Sequence, residues 1–153
     1  YAGEALVGKF IGCNDKNSLT KVIRLLLLWG FSISIPFTIL YVLFPSTFVK
    51  IISDSPNILS EIKPYYIYMA VIPIITFAAF IWDGIYIGAT ASKAIRNTMI
   101  ISSIFIFLPI WYILTPRLGN HGLWIAFLSF MIARGIVMTV LAKNNIIQNV
   151  KNQ

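Results

Sequence analysis

Long stretches without charge constrain this chain more than any motif does. Between Lys63 and Lys93 the sequence reads PYYIYMAVIPIITFAAFIWDGIYIGATAS, and Asp83 is its one ionisable group apart from the tyrosines. A spanning helix needs roughly 20 mostly apolar residues, so residues 64–89 are long enough to cross a bilayer. Three further runs share this character: 25–44, 97–115, and 122–142, the last interrupted only by Arg134. At about 1.5 Å per residue, each approaches or exceeds the ~30 Å hydrocarbon core. Lipid offers the backbone no hydrogen bonds, so each run must satisfy its own backbone groups as a helix.

The composition agrees. Charged residues make up 11% of the 153, hydrophobic residues 58%, and the mean hydropathy is +0.83. A soluble domain carries about 25% charged residues. The single Cys13 cannot form an internal disulfide, and no Cys/His spacing offers a metal site. HExxH, GxSxG and Walker-type loops are missing, which argues against an enzyme. The lone His121 sits in LGNHG and reads as a turn or interface residue rather than a ligand.

The expected fold is an all-α membrane protein, a bundle of four transmembrane helices forming one transmembrane domain over 1–153. Residues 1–12, YAGEALVGKFIG, read as the end of a fifth, preceding helix, and with Tyr1 first the chain is expected to be the C-terminal piece of a longer protein. Charge sets the orientation. Lys9, Lys16, Lys21 and Arg24 before the first span, Lys93 and Arg96 in the third loop, and Lys143 and Lys151 in the tail put eight basic residues on one side. Lys50, Lys63 and Arg117 put three on the other. Cytoplasmic loops are enriched in Lys and Arg, so the first loop, third loop and C-terminus are expected in the cytoplasm. This placement assigns the net charge of +7 to topology rather than to nucleic acid. Trp29, Trp111, Trp124, Tyr65, Tyr66 and Tyr112 fall near span ends, where aromatic residues favour the interface.

Three spans carry internal prolines, Pro36, Pro73 and Pro109. Each removes a backbone donor and favours a kink, read either as a bend satisfied by neighbouring helices or as the hinge of a moving bundle.

Charges inside the spans are the candidate functional residues. An acid near the centre of a spanning helix costs about 2.5–3.5 kcal/mol on insertion scales and marks a functional site by default. Asp83 lies ten residues before Lys93, and Arg134 nine before Lys143. On straight helices both sit about 14 Å from those basic ends, which predicts an Asp83–Arg134 contact; the alternative for Arg134 is snorkelling towards the headgroups, and that for Asp83 is a structural carboxylate that only ties helices together. Thr76, Tyr86 and Thr90 fall at helical spacing from Asp83 and predict a polar stripe facing protein or a water-filled cavity. Gly84–Gly88 and Gly8–Gly12 are small-xxx-small steps, expected to let neighbouring helices pack closely.

EALVGKFIG (Glu4–Gly12), DGIYIGAT (Asp83–Thr90) and LGNHGLWIAFLSFMIARG (Leu118–Gly135) together resemble the second half of multidrug and toxic compound extrusion (MATE) transporters, most of all the DinF-like branch. The resemblance covers nearly the whole chain. It implies twelve helices in two six-helix lobes with both termini cytoplasmic, of which this chain is similar to the end of helix 8 followed by helices 9 to 12, the C-terminal lobe in part. It implies a secondary antiporter in a bacterial plasma (inner) membrane. Such an antiporter exports amphipathic, often cationic compounds in exchange for H+ or Na+, with no other cofactor. The partners implied are the lipid bilayer, the missing N-terminal lobe and small amphipathic or cationic solutes; no nucleic acid is expected. In DinF-like relatives the leading coupling acid lies on the first helix, which this chain lacks. In other branches acids of the C-terminal lobe take part in cation binding, and Asp83 resembles such a position. Burial raises a carboxylate's pKa and a cation lowers it, so a proton and a cationic drug could compete for one such charge. Without the other lobe no cavity with two gates can form, so the chain alone is not expected to transport. Two alternatives stay open: a lipid-linked oligosaccharide flippase of the same superfamily, against which Arg134 is the one cation within a span, and a non-transporting membrane scaffold.

Overall fold

Helices account for nearly all of the computed structural model, which describes residues 2–53, 55–142, 144 and 146, with no strand among them. Tyr1, Asp54, Lys143, Asn145 and 147–153, Lys151 included, lie outside the described residues. So does the depth argument from Lys143.

Local chemistry sets the first helix boundaries. The helix α1 (Ala2–Gly12) ends in a reversal at Asn14, whose φ is 57°. The Asp15 N–H reaches back to the Phe10 carbonyl at 3.0 Å. Asparagine tolerates this left-handed conformation better than most side chains do. Asp15 then caps α2 (Lys16–Leu43), its Oδ1 accepting from the Ser18 N–H at 2.9 Å. This cap starts the helix well before the uncharged run at Leu25.

Next come α3 (Pro45–Ile52), α4 (Pro56–Ile62) and a 3₁₀ turn (Lys63–Tyr65), which lead into α5 (Tyr66–Gly88). The third span is α6 (Ser92–Ser102), a π turn (Ser103–Phe107) and α7 (Leu108–Leu118), and the last is α8 (Asn120–Ala142). Four continuous helical stretches are long and apolar enough to cross a membrane: Lys16–Leu43, Asn57–Gly88, Ser92–Leu118 and Asn120–Ala142. The architecture is therefore an all-α membrane bundle of four spans, with α1 packed against it.

The prolines differ in effect. Both α2 and α5 run unbroken through Pro36 and Pro73. Pro109 instead follows the π turn, where the Leu108 N–H bonds to the Ser103 carbonyl. A proline ring clashes with the carbonyl four residues back; the wider turn gives the Pro109 ring room.

Packing centres on α5 and α8. The first touches α1, α2 and α8, and the second touches α5, α6 and α7. In their apolar windows 33% and 39% of residues are buried, against 6% for α2 and 11% for the third span. The outer spans thus turn residues such as Trp29 and Phe105 outward, as lipid contact requires. Consecutive spans alternate in direction, so α5 and α8 run parallel. Tyr68 pairs with His121 at one end and Tyr86 with Met138 at the other. A buried cluster of Val7, Leu19, Ile23, Trp82, Ile85 and Met138 ties α1, α2, α5 and α8 together at that second end.

Candidate functional site

Small residues bring α5 and α8 close. A Cβ on Gly135 would lie 3.5 Å from the Ala78 Cβ and 3.7 Å from the Ala79 nitrogen. At that separation side chains can bridge the helices directly. Arg134 donates from Nη2 to Asp83 Oδ1, and this is the one salt bridge among the described residues. The Arg134 side chain is 3% exposed and that of Asp83 24%, so Arg134 is buried against α5 rather than snorkelling. Its Nε has no hydrogen-bond partner among the described residues. The pair therefore has one buried end and one partly open end, the carboxylate being the reachable partner.

Two neutral bonds between α5 and α8 flank it, with a third inside α8. The Trp82 Nε1–H donates to Thr139 Oγ1 at 2.7 Å, and the Thr139 hydroxyl donates to the Gly135 carbonyl at 2.7 Å. The Tyr86 hydroxyl donates to the Met138 carbonyl at 2.9 Å. With no water in the lipid core, each of these groups needs such a partner. The result is a polar seam: Trp82, Asp83 and Tyr86 on α5 meeting Arg134, Met138 and Thr139 on α8. Residues 82 and 139 had no motif to single them out. An indole and a hydroxyl inside an apolar run were the available signal, since both need partners when buried.

The stripe expected around Asp83 does not form as a unit. Thr76 is buried, but its hydroxyl donates to the Ile72 carbonyl at 2.9 Å within its own helix. Thr90 is off the helix altogether. The helix ends at Gly88, and Thr90 is exposed at φ 55°, its hydroxyl donating to the Ala89 carbonyl at 2.7 Å. Extrapolating helical spacing past Gly88 placed Thr90 on a face that no longer exists.

The glycine steps also divide. A Cβ on Gly88 would lie 2.9 Å from the Glu4 Cα, and one on Gly8 would lie 3.4 Å from the Gly88 oxygen. Those two glycines let α1 cross α5. A Cβ on Gly84 or on Gly12 would meet nothing within 4 Å, so neither is a packing glycine among the described residues. Period alone cannot tell which glycine of a pair faces the neighbour.

Of the two readings of His121, turn or interface, the contacts fit the second. The residue lies in the first turn of α8, with Nδ1 3.0 Å from the Tyr68 hydroxyl. Its ring lies 4.8 Å from that of Tyr65, and Tyr68 stacks on Trp124 at 5.7 Å. In the LGNHG segment Gly119 makes the turn at φ 56°, and Gly122 seats α8 on α7: a Cβ there would lie 2.6 Å from the Thr115 nitrogen. Among the described residues no three His, Cys, Asp or Glu side chains gather as a metal site.

The model of the MatE family matches residues 1–113. Over 141 residues the chain is 27% identical to DNA damage-inducible protein F of Escherichia coli (strain K12). That similarity covers 92% of this chain and 30% of the relative, so the chain spans under a third of the length of the curated protein it matches. No solved structure matches.

Proposed function

Because this chain belongs to the MatE family, we propose that it supplies part of the C-terminal lobe of a secondary-active transporter. That transporter exports amphipathic or cationic compounds in exchange for H+ or Na+. The observation that carries this reading is the Asp83–Arg134 pair, a partly open carboxylate on a buried arginine, set between two parallel spans. A charge inside a span is expensive and is retained where it has work to do.

The proposed step is a competition for Asp83. With Arg134 bound, the carboxylate is neutralised and α5 is held to α8. A proton, a sodium ion or a cationic solute that takes the carboxylate releases Arg134, and the seam then keeps its neutral bonds, Trp82–Thr139 and Tyr86–Met138, without the ion pair. The cation's binding energy thereby alters how α5 and α8 are joined, which is the coupling an antiporter needs. The basic ends of the bundle face the cytoplasm of a bacterium, and the protein acts without chemical change to its cargo. Arg134 is engaged by Asp83, which disfavours a role as a free cation for lipid-linked pyrophosphate.

The test reconstitutes the whole encoded protein in proteoliposomes and follows ethidium under an imposed pH or sodium gradient. One of the two gradients should drive ethidium movement above the rate in protein-free vesicles. Movement indifferent to both gradients would overturn the antiporter reading.

A further inference from the structure

We propose that the groove between α2 and the α5–α8 pair is a binding site for one anionic phospholipid. The groove has a volume of about 530 Å³, with Thr20 and Arg24 lining it near the start of α2 and Leu27, Phe31, Phe77 and Trp82 continuing it. Phe31 and Phe77 meet at 5.5 Å. The Trp82 N–H is spent on Thr139, so the indole offers the groove an apolar wall. From Arg24 to Phe31 is about 10 Å along the helix. One end is cationic and the rest is apolar, which is the pattern of an anionic headgroup with its acyl chain.

Charge selects the occupant. Arg24 is exposed and has no acidic partner among the described residues. Lys16 and Lys21 stand on the same first turns of α2, which reinforces the positive potential and repels a cationic solute. Basic pockets between spanning helices on the cytoplasmic side hold anionic headgroups. The site rests on the membrane assignment and the proposed orientation, and needs no transport step.

The test uses the whole encoded protein in phosphatidylcholine vesicles doped with brominated phosphatidylglycerol or with brominated phosphatidylcholine. Trp82 emission is taken as the difference between wild type and Trp82→Phe. Brominated phosphatidylglycerol should quench Trp82 at about fivefold lower mole fraction, the preference expected of one basic residue at an anionic surface. Arg24→Gln should bring the two curves together. Arg24→Lys should keep them apart, and Lys21→Gln, whose residue does not line the groove, should narrow the gap without closing it. Equal quenching in the wild type, or a preference that survives Arg24→Gln, overturns the proposal. So does the absence of quenching by either lipid, which would place protein in the groove. Ethidium movement is not the readout, so either this proposal or the antiporter reading can fail alone.

Discussion

Arg134 reaches Asp83 across two parallel helices, and that contact sets one charge against its opposite inside a seam whose other polar contacts are neutral hydrogen bonds. Removing one member of a buried pair leaves the other uncompensated, at a cost of about 3–5 kcal/mol. The partial exposure of Asp83 puts the expected loss for Asp83→Asn or Arg134→Gln near the lower end, ~3 kcal/mol. Each single variant should lower folded yield and thermal midpoint in detergent. The double exchange Asp83→Arg with Arg134→Asp should recover much of the loss. An exchange worse than either single change would remove the pair as a source of stability.

Gly88 and Gly84 should respond in opposite ways to the same substitution. Gly88→Ala drives a methyl into the Glu4 backbone and should separate α1 from α5, lowering the thermal midpoint. Gly84→Ala meets open space and gains about 1 kcal/mol of helix propensity. Equal effects of the two variants would contradict this packing of α1 on α5.

Thr90 holds a left-handed φ of 55° with a β-branched side chain, a conformation that costs about 1–2 kcal/mol. Thr90→Gly should therefore raise the thermal midpoint, and Thr90→Asn should do so to a smaller degree. If both lower it, the Thr90 hydroxyl carries a role that its bond to Ala89 does not reveal.

The spans and the central pair were legible in the sequence for one physical reason: lipid penalises charge, so isolated charges stand out. Asp83 and Arg134 do pair as expected, although the count that matched them does not measure depth along α5: Lys93 stands on α6, beyond the reversal that follows Gly88, and Lys143 lies outside the described residues. Rotation of each helix about its axis was not legible. It decides that Gly88, not Gly84, meets α1, and that Trp82 finds Thr139. Helix ends were the other blind spot. Thr90 left its stripe because the chain reverses there, with the Ala91 N–H bonded to the Tyr86 carbonyl at 2.9 Å. His121 stands at the interface rather than in the turn, which Gly119 makes. The widening before Pro109 had a cause in the sequence, the proline, but not a readable form.

Asp15 gives a pH-dependent test outside the spans. Hydrogen bonds from Ser18, the side chain first and then the backbone N–H, hold its carboxyl below the ordinary 3.8. A folded-state pKa below the unfolded one contributes stability that is complete above about pH 4 and is lost as pH falls through the folded value. Hydrogen exchange at the start of α2 should accelerate in that acidic window for the wild type. In Asp15→Asn, whose cap does not titrate, this acid-induced acceleration should be absent. The same acceleration in both proteins would assign it to another group.

Ethidium efflux from cells expressing the whole encoded protein tests most directly whether Asp83 links an ion to transport. Asp83→Asn, compared at equal membrane abundance, should reduce efflux at least about tenfold and flatten its dependence on external pH or sodium, as loss of an ion-binding charge requires. Efflux unchanged from wild type across the pH and sodium series would contradict that link and leave Asp83 as a structural tie to Arg134.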